Sequence, residues 1–167
     1  YIKFSETLLR KDVDFIKQLT KVAHHIADST NRLDGLLERL YQFNLEGIAA
    51  VRNGIEGRTQ NNLINLESHF SAYAGYAAKS LFEIKKDISW AERWYPATKK
   101  SADMTVEFDP KHSAHAYGFA GNAAKEISKI SKDKSWTEKA IGCYQNFLSY
   151  YKINLIANLL NIQTFWA

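Results

Sequence analysis

Histidine and cysteine are where chemistry would show first in these 167 residues, and there are five histidines and one cysteine. His24 and Asp28 stand four apart, and His112 and His115 three apart. On a helix either spacing puts two metal-ligating side chains on one face. A metal that activates water needs a third protein ligand, and neither run supplies one, so no metal is expected. A gathering of His24, His25 and His69 in the fold would be the arrangement to look for. Cys143 has no second cysteine to pair with, and it sits among Ile141, Tyr144 and Phe147 as a small core residue would. Phosphate and dinucleotide sites need glycine loops between a strand and a helix. The nearest run, Gly54-Ile-Glu-Gly57-Arg58, reads as the end of a helix. The expectation is therefore no enzyme, no catalytic residue and no cofactor.

Apolar residues make up 46% and charged residues 24%, the balance of a folded globular chain. The net charge is +4, and it is uneven. Residues 1–83 carry 10 basic and 10 acidic side chains and residues 84–167 carry 12 and 8, so the whole excess lies in the second half. That mild bias reads first as a solvated helical face, and next as a surface for nucleic acid or an acidic peptide. A lone cysteine fits a reducing, cytoplasmic setting. The chain opens on YIKF rather than Met, which reads as a segment of a longer protein. The most apolar stretch, 147–167, is interrupted by Lys152, Asn154, Asn158, Asn161 and Gln163, and no membrane span is expected.

Apolar residues recur at three and four positions nearly throughout, and nothing alternates as a strand would, so the class is all-α. The pattern predicts a helix from Ser5 to Ala27, a second from Asn31 to Ile55, a third from Thr59 to Lys86, one from Ser89 to Thr105, one opened by Asp109 as N-cap with Pro110 behind it, and a last one from Ser135. Residues 1–58 make an N-terminal helical hairpin in this reading, and 59–167 the remainder of a single domain.

One chain segment is said twice. AGYAAKSLFEIKKDISWAE, residues 74–92, and AGNAAKEISKISKDKSWTE, residues 120–138, share 11 of 19 positions at an offset of 46. Ala-Gly-x-Ala-Ala is a smooth helix face that admits a neighbour closely. Ser-Trp-x-Glu reads as a capping box, with Ser89 and Ser135 as N-caps and Trp90 and Trp136 as apolar anchors behind them. Pro96 and Gly142 also correspond, each weakening a helix interior. Trp90, Trp94 and Tyr95 beside Lys85, Lys86 and Arg93 resemble a base-stacking surface, but an anchor in the repeat belongs in the core.

Fixed-period helical hairpins stack into arrays. Ala116-Tyr117, then Ala120-Gly121-Asn122-Ala123, then Ala140, Tyr144 and Phe147, with Glu107-Phe108-Asp109-Pro110 between units, resemble a tetratricopeptide (TPR) repeat over residues 69–151. The period of 46 exceeds the family's roughly 34, and a HEAT- or armadillo-like array suits it better. The resemblance implies antiparallel hairpins in a TPR-like α-solenoid: two repeat units, an N-terminal hairpin and a long C-terminal helix. It also implies a scaffold or protein-binding module whose groove is lined by the first helix of each unit. The implied partner-binding residues are His69, Tyr76 and Lys79 in one unit and His115, Asn122 and Lys125 in the other. The lysines would favour an acidic or C-terminal peptide. Gly118 stands where a carboxylate-clamping domain has Lys, and Tyr76 where it has Asn, so a full clamp is not expected. In the last helix Tyr144, Phe147, Tyr151, Leu155, Leu159, Ile162 and Trp166 form one apolar stripe, with Leu148, Ile156 and Leu160 outside it. Such a helix must be covered, and a homodimer through it is one way. The alternative function is a nucleic-acid-associated helical repeat.

Overall fold

The computed structural model describes residues 33–53 and 59–165, with side chains as far as residue 152. Five helices occupy them in chain order: α1 Leu33–Arg52, α2 Gln60–Lys85, α3 Ile88–Thr105, α4 Pro110–Ser131 and α5 Lys134–Phe165. No strand occurs among the described residues. The helix expected over Ser5 to Ala27, with His24, His25 and Asp28, lies outside them, as does the Gly54–Gly57 turn. No described helix is long and apolar enough to cross a membrane.

The two copies of the repeat make the same turn. Lys86 and Lys132 close α2 and α4 in the left-handed region, at φ 55° and 57°. Their amides donate back to Phe82 and Ser128 carbonyls, which satisfies orphan acceptors of the last turn. The next residue is aspartate in both copies, and it is the cap. Asp87 accepts from the Ser89 amide at 2.9 Å and hydroxyl at 2.8 Å, and Asp133 does the same for Ser135. The capping box is thus corrected. Ser89 and Ser135 lie inside their helices, because an ionised carboxylate two residues earlier is the stronger acceptor for the helix's first donors. Asp109 does cap α4, accepting from the His112 amide at 2.9 Å with Pro110 behind it.

The smooth faces do what their size predicts. Ala74, Ala77, Ala78, Ala120, Ala123 and Ala124 are all fully buried. Gly75 lies against Thr98 of α3, and 46 residues on Gly121 lies against Tyr144 of α5. Gly118 meets Phe147 and Ser128 meets Thr137, so residue numbers fall on α5 as they rise on α4. The main core gathers around Leu37, Leu81, Trp90, Trp94 and Ile127 near the paired turns. A smaller cluster of Val51, Leu66 and Phe70 holds the opposite end of α1 and α2.

Helices two apart in the chain touch through long side chains. Trp90 of α3 stands edge-on to Tyr41 of α1 at 5.4 Å, with the Arg93 guanidinium 4.4 Å from its ring. Trp136 of α5 stands edge-on to Tyr95 of α3 at 5.1 Å, with the Lys139 ammonium at 3.7 Å. Arg93 and Lys139 are themselves 46 apart. Trp90 and Trp94 are buried, as anchors. The α3 helix runs through Pro96, which has no amide to offer the Glu92 carbonyl.

Candidate functional site

The six residues implied to bind a partner lie on α2 and α4. His69 and Tyr76 of α2 are turned onto α4. The His69 ring stacks on His112 at 5.1 Å, and its Nδ1 lies 2.8 Å from the Asn65 carbonyl. Tyr76 packs on Phe119 at 4.8 Å and on Tyr73 at 5.8 Å, and burial pushes its phenol up from the ordinary value. His115 is exposed and meets the edge of Tyr151 of α5. Asn122 accepts from the Tyr144 hydroxyl at 2.8 Å. Lys79 donates to Glu83 at 2.6 Å, and Lys125 is exposed. The space between α2 and α4 is therefore filled by their own aromatic and imidazole rings. Below the rings, Ser68, Ser101 and His112 tie α2, α3 and α4 together, with Ser101 Oγ 2.9 Å from His112 Nε2.

The open space lies on the other side, between α3 and α5, with α4 as its floor. Where Tyr95 meets Trp136 the two walls touch. Past the C-terminal end of α3 they part, leaving a cleft of about 490 Å³ lined by Val106, which follows α3, by Pro110, Ala114 and Tyr117 of α4, and by Asn146 and Tyr150 of α5. Ser113 and Ser149 complete the lining, and both hydroxyls donate to backbone carbonyls, of Ala102 and Gln145, at 2.8 Å. They therefore face the cleft as acceptors. Val106 of the lining is half exposed.

Polar groups at the inner end are held neutral or paired. Tyr117 donates to Asp103 Oδ1 at 2.7 Å, while Lys99 donates to the same carboxylate. Burial, then the Asp103 carboxylate, pushes the Tyr117 phenol far up. Burial and the neighbouring Cys143 thiol push Tyr95 up to about 12. Cys143 is buried, and burial raises it as well. Its partner is Tyr95, which the sequence did not reveal. A protonated thiol and two protonated phenols are hydrogen-bonding groups at neutral pH, not nucleophiles. Among the described residues no three His, Cys, Asp or Glu side chains converge as metal ligands would.

The repeat held a signal for this cleft. In the first unit Glu67 of α2 bridges α1 and α3: it receives Arg52 at 2.8 Å and also Lys100. Forty-six residues on, Glu67 becomes Ser113 and Lys100 becomes Asn146. Both replacements line the cleft, and neither can span it. No family model, curated protein or solved structure matches the chain.

Proposed function

We propose that the chain is a protein-interaction module, built as antiparallel helical hairpins stacked in a TPR-like array, that binds a partner segment in the cleft between α3 and α5. The cleft itself is the observation that carries this reading. It has the size of a ligand site, it is mostly apolar, and Ser113, Ser149 and Tyr117 in its lining are held by hydrogen bonds. The resemblance of residues 69–151 to TPR units supports the array. So does the recurrence of turn, cap, glycine contact and cation-covered Trp at one offset. In this reading His69 and Tyr76 hold α2 to α4, and His115, Asn122 and Lys125 form the exposed flank of the scaffold. A second interface is proposed on α5, where Ile141 and Leu148 are 51% and 60% exposed. A homodimer through that face predicts a doubled mass by light scattering, and a monomer at all concentrations removes it.

The test compares capture by the wild type and by Ser149→Trp, an exposed position at the cleft wall. A partner identified by mass spectrometry is then purified and its affinity measured for both. The reading expects a loss of tenfold or more in the variant, and a partner held equally by both proteins sinks it.

A further inference from the structure

We infer that the cleft between α3 and α5 takes bulky uncharged side chains, two of them one turn apart on a partner helix, and rejects acidic ones. This rests on the reading of the cleft as a docking site and adds the chemistry of the occupant.

The two units, compared position by position, carry the inference. Between α1 and α3 the first unit places an acidic side chain, Glu67, and answers it with Arg52 and Lys100. That space is sealed by charge. Between α3 and α5 the corresponding positions are Ser113 and Asn146, and none of the residues lining the cleft is charged. Lys99 and Asp103, which both contact Tyr117 of the lining, pair with each other at 2.7 Å. An acidic side chain entering here would give up its water for a lining that contains no cation, and both seryl hydroxyls donate elsewhere. An ammonium would meet acceptors but no countercharge. An aromatic or aliphatic group loses nothing on leaving water and gains contact with Val106, Pro110 and Ala114. The space is more than one large side chain fills. It runs along the faces of α4 and α5 that carry Ser113, Tyr117, Asn146 and Tyr150, the setting in which an amphipathic helix presents anchors at i and i+4.

Side-chain analogues test this on the full chain by amide chemical shifts in NMR. 3-Methylindole and p-cresol stand for Trp and Tyr, propionate for an acidic side chain and n-butylamine for a basic one. Saturable shifts confined to Ala114, Tyr117, Asn146 and Tyr150 are expected from the two aromatic analogues alone. Ser149→Trp and, independently, Asn146→Trp are expected to weaken them tenfold or more, both positions being exposed on α5. Propionate or butylamine moving the same amides as strongly overturns the inference, as does the absence of any shift with the aromatics. A helical peptide library panned against the wild type separates the two levels. Cleft-dependent peptides with charged anchors overturn this inference and leave the docking reading standing. Binding of the analogues with no cleft-dependent peptide overturns the docking reading and the partner helix with it, and leaves only the cleft's preference for uncharged groups.

Discussion

Replacing Gly75 by alanine sets two effects of known size against each other. A glycine inside a helix costs about 1 kcal/mol relative to alanine, so the substitution gains that much if nothing is in the way. Something is. The new Cβ would stand 2.4 Å from Thr98 Cγ2 and 3.3 Å from the Thr98 amide, where carbon atoms settle at roughly 3.5–4.0 Å. Thr98 cannot turn aside freely. It is β-branched and fully buried, and its hydroxyl donates to the Trp94 carbonyl at 3.0 Å. Overpacking of this kind costs about 1–3 kcal/mol. The clash outweighs the propensity gain, and Gly75→Ala should destabilise by about 1 kcal/mol, read as a lower urea midpoint by circular dichroism. Thr98→Ser removes only the obstructing methyl and should cost about 1 kcal/mol as a small cavity. In the double variant the alanine methyl occupies that cavity and the helix keeps its better residue. It should return to within about 0.5 kcal/mol of the wild type, a coupling of about 2 kcal/mol. Additive losses would refute the claim that Gly75 is there to admit Thr98. Gly121→Ala serves as contrast: its Cβ meets the half-buried ring of Tyr144 at 2.7 Å. That ring can swing toward solvent, so the loss should be smaller.

Gly142 has nothing within 4 Å of where a Cβ would stand, so Gly142→Ala should raise stability by about 0.5–1 kcal/mol, measured in the same titration. Ser71 Oγ is buried without a hydrogen-bond partner; Ser71→Ala should be neutral or stabilising, because it removes a desolvated hydroxyl that has no bond to lose. Asp87 and Asp133 are held below the ordinary carboxylate range by the Ser89 and Ser135 amides, then by their hydroxyls. Their folded-state values are depressed, so their contribution is complete above the unfolded value near ~3.9 and is lost as pH falls through the folded one. The melting-temperature gap between the wild type and Asp87→Ala/Asp133→Ala should be full at neutral pH and narrow at strongly acid pH. A gap of constant width would show that the carboxylates do not cap by their charge.

Much of the architecture was legible in order of residues alone. The 3.6 periodicity marked α1 to α5 to within a few positions, and Asp109-Pro110 marked the start of α4, because helix periodicity and capping are properties of neighbours in sequence. The Ala-Gly-x-Ala-Ala faces were legible too, since small residues at helical spacing have no other use in a buried stripe. Ser89 and Ser135 were misread as caps although Asp87 and Asp133 stood in the same repeat. The choice between two acceptors depends on where the left-handed residue before them turns the chain, and spacing does not carry that. The site was the least legible part. The family resemblance pointed to His69, Tyr76, Lys79, His115, Asn122 and Lys125, which lie on first helices. Only the folded chain decides that Tyr76 reaches Phe119 and His69 reaches His112, filling that side, while α3 and α5 part on the other. Whether two helices enclose a space depends on side chains more than 30 residues apart, such as Glu67 against Lys100 in one unit and Ser113 against Asn146 in the next. The sequence determined the helices, their turns and the doubling of the unit, because those follow from local contacts. The tertiary structure decided which gap is sealed by charge and which is left open, because that depends on what meets across it.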